Sequence, residues 1–345
     1  MLFYFVPFIC IYGGYKIIHK IHKQDYTGDI GRLGQIPFGS SYDENLKRNY
    51  LTDNLVKETL IVSYEKFYPS KTLKIVTIGD SFSQQSNFGY QNYLAHILND
   101  SIINIKRYGN NFETAISLLN SGIIDGSNCQ ILIFEQVDRY LISDLCNIDF
   151  ERLFKLPQNK EKQNKKSTNE GSDHDSELYN LTSWFRLQFG YDNPIFRHNL
   201  EQNCFTHNYF SHQLFCYIDD FNFKRTKPDD IEKAKENLIL LNKKFSEKGI
   251  KMIFLIAADK YDVYRSFMTD DSLPIDTTTD ELSSISDVCV INTKWLLQEM
   301  VRNGEKDVYM VNDTHWSYKA SEAVAKKLAQ NIDSLGILKK NMIVF

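Results

Sequence analysis

Short apolar runs recur along the chain, most of them followed by a stretch with helical spacing. Leu73 to Ile78 is rich in β-branched residues and predicts a strand, and Tyr90 to Leu98 suits a helix. Ile102 to Lys106 predicts a second strand, and a helix follows from about Phe112 to Leu119, with Phe112, Ala115, Ile116 and Leu119 on one face. Ile131 to Phe134 is apolar at every position, as expected of a strand covered on both faces. Asp229 to Lys248 has the pattern of a charged amphipathic helix with Ile231, Ala234, Leu238, Leu241 and Phe245 as its buried stripe, and Gly249 ends it. Lys251 to Ala257 is the strongest strand. A short strand over Val288 to Ile291 and helices over Trp295 to Val301 and Ala320 to Leu328 complete the pattern. Strands alternating with helices predict an α/β fold: a parallel sheet with helices on both faces.

Other segments break this rhythm. Leu2 to Tyr15 carries no charge, and with Ile17 and Ile18 it forms an apolar stretch interrupted only by Lys16. That is near the lower limit for a membrane span. No small-residue cleavage site follows, so residues 1–23 read as a membrane anchor or uncleaved signal; a buried or interfacial aromatic helix is the alternative. Lys16, Lys20 and Lys23 follow the segment, an orientation that would leave the body cytoplasmic unless a basic leader precedes the given start. Residues 24–70 read as an irregular lead-in to a domain spanning 71–335. Residues 158–177 hold no large apolar side chain and read as a disordered insertion, and the aromatic stretch 178–228 as a lid or side element.

With 345 residues, 42% of them hydrophobic, the chain can bury one large core or two modest ones. A net charge of −4 gives no basic field for nucleic acid. Six scattered cysteines include no Cys-x-x-Cys pair, which argues against a zinc site or a dense disulfide framework; a Cys204–Cys216 bridge is left open.

The first strand climbs to Gly79-Asp80-Ser81-Phe82. Ligands of open α/β sheets bind at the carboxyl ends of strands, so Ser81 stands where a nucleophile would be useful. The same residues also make an ordinary turn. A serine hydroxyl needs a base, and His315 in Asp313-Thr314-His315-Trp316, just before the last helix, is set apart from the other seven histidines by a carboxylate two residues away. In an extended segment Asp313 and His315 share a side, so the carboxylate can orient the imidazole. The competing reading makes Asp313 or Ser317 a helix cap and His315 a surface residue.

Together these two motifs resemble the SGNH/GDSL hydrolase superfamily, and within it the branch of alginate O-acetyltransferase-type cell-envelope acetyltransferases. Glu135 to Leu141 and Ala258 to Tyr264 are lesser echoes. The resemblance implies a flavodoxin-like three-layer sandwich with a central parallel sheet, a Ser81–His315–Asp313 triad and no metal or other cofactor. It departs in three places. Asn312 occupies the position where the superfamily usually has its acid; Gln136 to Arg139 replaces a Gly-x-Asn-Asp block; and the Asp-x-His pair follows the serine, whereas in alginate acetyltransferases it precedes it. The oxyanion is expected at the Ser81 N–H with Gly109, Asn110 or Asn111. Arg139 would brace the site, meet an anionic substrate, or pair with Glu135 four residues earlier. Lys260, Tyr261 and Trp316 would line a sugar-facing wall, or else pack in the core. The implied function is O-acetyl transfer to a cell-envelope or exported polysaccharide, with a membrane-bound O-acyltransferase as acetyl donor. A carbohydrate acetylesterase and an inactive polysaccharide-binding domain are the alternatives. The implied location is the cell envelope, anchored to the inner membrane with the catalytic domain extracytoplasmic.

Overall fold

The computed structural model describes residues 29–32, 60–63, 73–85, 89–107, 109–153, 194–207 and 210–336. The anchor, most of the lead-in, the polar insertion and the first part of the aromatic stretch lie outside these residues. Among the described residues no helix is long and apolar enough to cross a membrane.

Six parallel strands form the central sheet: β1 (Leu60–Ser63), β2 (Leu73–Gly79), β3 (Ile102–Lys106), β4 (Cys129–Val137), β7 (Lys251–Ala257) and β8 (Cys289–Asn292). Their order is β1-β3-β2-β4-β7-β8. Without the edge strand β1 this is the flavodoxin-type order, in which the chain steps first to one side of its starting strand and then to the other. That reversal happens at β2, and Ser81 follows β2 directly.

Alternation along the strands divides the core in two. Ile75, Ile131, Ile133, Ile253 and Leu255 face α1 (Tyr90–Leu98), α7 (Thr293–Arg302) and α8 (Tyr318–Ser334). Val76, Ile78, Leu132, Phe134, Met252 and Phe254 face α2 (Asn111–Asn120), α3 (Asp138–Cys146) and α4 (Pro228–Glu247). A period of two on strands buried from both sides is what a three-layer sandwich requires. Two short helices, α5 (Lys260–Tyr264) and α6 (Thr278–Ser283), sit in the connections around β7 and β8. The described part of the aromatic stretch is an antiparallel hairpin of β5 (Ile195–Asn199) and β6 (Gln213–Tyr217), followed by a 3₁₀ segment, Ile218–Arg225. Its Leu214, Phe215 and Cys216 are buried with Tyr261 and Tyr264 in the first half of the core. Cys204 and Cys216 are both buried free thiols, so the bridge left open by sequence is not made.

Candidate active site

Strand β2 delivers Gly79, Asp80 and Ser81 to the carboxyl edge of the sheet, and Ser81 opens a 3₁₀ turn, Ser81–Gln84. Asp80 is buried and fixes this turn from both sides. Its Oδ1 accepts from the Phe82 N–H at 3.0 Å, and its Oδ2 accepts from the Val137 N–H of the neighbouring strand at 2.7 Å. Ser81 itself is exposed, while Phe82 and Ser83 point inward.

Glu135 lies under the turn with no solvent exposure. Its Oε2 accepts from the Asp80 N–H at 3.0 Å and from the Ser83 hydroxyl at 2.8 Å, and Ser83 Oγ lies 3.2 Å from the Tyr90 hydroxyl. Burial, and then the nearby Asp80 charge, push the Glu135 pKa well above the ordinary carboxylate range. The sequence pattern hides this network, because the apolar run that predicts β4 stops at Phe134, short of Glu135. It is in fact the seventh residue of β4.

The acid–histidine couple forms as drawn from its spacing. Asp313 Oδ1 and His315 Nδ1 are 2.6 Å apart, and the same oxygen accepts from the His315 backbone N–H at 3.0 Å. The imidazole lies against Phe82, the residue after Ser81, with ring centroids 5.0 Å apart. With Nδ1 committed to Asp313, Nε2 is left for a substrate or nucleophile. Ser317, not Asp313, caps the last helix, accepting from the Lys319 N–H at 3.2 Å. A second carboxylate arrives from far away in sequence: Asp29 accepts from the Thr314 N–H at 2.9 Å and from its hydroxyl at 2.5 Å. Burial would lower the His315 pKa. The charge and hydrogen bond of Asp313, helped by Asp29 and Asp80, outweigh it and raise the pKa to about 9.

Several side chains expected at a substrate wall are instead inside the protein. Trp316 is fully buried, donates from Nε1 to the Tyr309 hydroxyl at 2.9 Å, and packs against Phe82 at 4.8 Å between centroids. Tyr261 is also fully buried, its hydroxyl donating to the Pro274 carbonyl at 2.6 Å. Lys260 is 1% exposed and donates to the carbonyls of Met310 at 2.6 Å, Asp313 at 3.0 Å and Val311 at 3.1 Å. All three ammonium hydrogens are thereby spent on the loop that carries Asp313. Burial pulls its pKa down to about 8, still leaving it charged at neutral pH.

Arg139 is likewise enclosed. It does not pair with Glu135; its guanidinium meets Asp220 at 2.8 Å and Asp259 at 3.1 Å. Asn111 is buried and donates to the Glu135 carbonyl at 3.1 Å and to Gln136 Oε1 at 2.8 Å, so its amide is not a spare oxyanion donor. Gly109 (φ 72°) and Asn110 occupy the loop after β3, whose last residue pairs with Gly79 across the sheet. Asn110 Oδ1 caps α2 by accepting from the Glu113 N–H at 2.7 Å.

Because Lys260 ties three buried carbonyls, Lys260→Met is expected to destabilise the fold by about 3–5 kcal/mol. Urea denaturation measures this directly. Wild-type stability in the variant would mean that water replaces the ammonium and that the loop does not depend on it.

Residues 215–342 match the family model described as the SGNH hydrolase-like domain of acetyltransferase AlgX. No curated protein matches the chain. Among solved structures, the protein YxiM of Bacillus subtilis is similar over 77% of this chain and 58% of its own, at 12% identity and a TM-score of 0.37. The chain therefore spans less than two thirds of that protein. The matched stretch includes Lys260, Asp313 and His315 but not Ser81, and over it the chain is similar to the SGNH hydrolase-like domain of acetyltransferase AlgX.

Proposed function

We propose that the protein is a serine-dependent acyl-transfer enzyme, an O-acetyltransferase acting on a cell-envelope or exported polysaccharide. The observation that carries this reading is the 2.6 Å Asp313–His315 couple resting on Phe82, next to Ser81 at the sheet's switch point. In the proposed reaction His315 Nε2 removes the Ser81 proton as Oγ attacks an acetyl ester carbonyl. The tetrahedral intermediate collapses, the donor oxygen leaves with the proton from the imidazolium, and acetyl remains on Ser81. A sugar hydroxyl then gives its proton to Nε2 and takes the acetyl group, and the imidazolium returns that proton to Ser81 Oγ as it leaves. Asp313 holds the tautomer and stabilises the imidazolium in both halves. The Ser81 and Gly109 N–H groups and the Asn110 amide are the proposed oxyanion donors.

The similarity over residues 215–342 supports chemistry of the acetyltransferase or esterase kind. A membrane-bound O-acyltransferase as acetyl source and a location in the cell envelope belong to the same proposal. Ser81 is exposed, so water can also reach an acyl-enzyme, and this favours carbohydrate acetylesterase as the second reading.

The test is to trap the intermediate. Incubation with a small activated acetyl ester should place one acetyl group on the peptide containing Ser81, seen by mass spectrometry, and none in Ser81→Ala. Adding an oligosaccharide acceptor should divert acetyl from free acetate to the sugar. Free acetate formed equally fast with and without acceptor would select the esterase. No acetyl on Ser81, together with unchanged turnover in Ser81→Ala, would remove the serine mechanism.

A further inference from the structure

A second group of acids sits at the carboxyl ends of β4 and β7, apart from Ser81 and His315. Asp138 opens α3, while Asp259 and Asp262 lie at the start of α5. Val137 and Ala257 are paired across the sheet, so the two strands bring these acids together. The three residues are 5%, 1% and 2% exposed. Each can offer an oxygen to a common point, these oxygens lying within 4.8 Å of one another.

Burial above all pushes the three carboxyl pKa values well above the ordinary range, and the neighbouring cations are only partly available to them. Arg139 reaches Asp259 at 3.1 Å but is shared with Asp220. Lys294 is spent on Asp280 at 2.9 Å and on the Asp276 carbonyl at 2.6 Å. Asp138 and Asp262 form no ion pair with any described residue, and the buried atoms Asp138 Oδ2 and Asp262 Oδ2 have no hydrogen-bond partner. Thr279 is wholly buried with its hydroxyl beside the Asp138 carboxyl. Leaving such groups in a low-dielectric interior with nothing bound is costly. A cavity of about 440 Å³ is lined in part by Asp138, Arg139, Asp220 and Asp276; Asp259 and Asp262 are not in its wall.

We propose that Asp138, Asp259 and Asp262 bind a hard divalent cation of the calcium or magnesium class. The donors are all oxygen, with no imidazole or thiolate among them, which selects against zinc and copper. Donor oxygens around one calcium ion, each at about 2.3–2.6 Å, would lie within about 5 Å of one another, as these do. The ion would supply the positive charge that Arg139 and Lys294 do not, and would tie the start of α3 to α5. α5 carries Lys260, so the site also borders the clamp on the Asp313 loop.

The full chain, stripped with a chelator, should be titrated calorimetrically with calcium, magnesium and manganese ions in turn. We expect at least one to bind with one ion per chain and to raise the melting temperature. Asp138→Asn and Asp262→Asn should each weaken that binding by about tenfold or more. Crystals soaked in manganese should show anomalous density between the three carboxylates, a readout that needs no variant to fold. No binding of any of the three ions, binding unchanged in both variants, or manganese density elsewhere would each overturn the site.

Discussion

His315→Ala is expected to lower kcat/KM for acetyl transfer by about 10⁴-fold, with little change in the far-ultraviolet circular dichroism spectrum. In the proposed reaction the imidazole carries the proton in both half-reactions, and its Nδ1 is already engaged by Asp313. Removing it leaves the serine without a base and Asp313 without its partner, while the loop stays held by Lys260 through three carbonyls. The pH profile tests the same residue without mutation. The folded pKa of about 9 exceeds the unperturbed value of 6.5, so the imidazole is protonated at neutrality and must lose that proton to act as a base. Log kcat/KM should therefore keep climbing with a slope of about one up to roughly pH 8, whereas an ordinary histidine would level off above about pH 7.5. Asp29→Asn, which removes one of the charges raising that pKa, should move the midpoint toward neutrality. The stability linkage has a definite sign: the raised pKa contributes stability fully below about pH 6.5, and this is lost as pH rises through about 9. A profile flat above roughly pH 7 in the wild type would show that His315 is not the titrating base.

Where a segment's environment is set by its own periodicity, the sequence was enough to read it. Tyr90–Leu98, Ile102–Lys106 and Lys251–Ala257 have the bounds expected from their patterns. The Asp313–His315 contact was also legible, because a two-residue spacing in extended chain leaves little freedom. Failure came where a polar residue is buried by a distant partner. Glu135 reads as lying just past the strand, yet its carboxyl accepts hydrogen bonds from the Asp80 N–H and the Ser83 hydroxyl, more than fifty positions earlier. Arg139 has an acid four residues before it, but its partners come from the 3₁₀ segment at Asp220 and the turn at Asp259. Lys260 reads as part of a substrate wall because lysine is seldom enclosed, whereas Trp316 reads equally as wall or core because tryptophan both lines sites and packs inside. Carbonyls of the 310–313 loop capture the first, and the Tyr309 hydroxyl the second. Asp29 could not have been assigned at all, since its contact with Thr314 spans nearly the whole chain. For Glu135, Arg139, Lys260 and Asp29 the deciding interaction is long-range and carries no local period, while the partner of Trp316 is only seven residues away.

Gly79→Ala should be among the most damaging single-methyl additions to this protein. A β-carbon at this position would fall well inside van der Waals contact of both Ser83 Oγ and Glu135 Oε2. Neither neighbour can retreat cheaply. Glu135 is fully buried in β4 and holds the Asp80 N–H, while Ser83 is tied to Glu135 and lies beside the Tyr90 hydroxyl. Overpacking a rigid core typically costs about 1–3 kcal/mol, and prising the Ser83 hydroxyl from a buried carboxyl adds about 1–3 kcal/mol. The expected destabilisation is therefore about 3–5 kcal/mol, read as a lower urea midpoint at unchanged m-value. The same intrusion displaces the turn that presents Ser81, so Ser81 acetylation should fall steeply even in the fraction that remains folded. Ser83→Ala tests the mechanism, because it removes one of the two clashing atoms. Combined with Gly79→Ala it should recover part of the lost stability, giving a double-mutant cycle with a favourable coupling energy. Strict additivity of the two substitutions would mean that the methyl group is accommodated by moving β2, and that the Glu135–Ser83 contact does not set the space around Gly79.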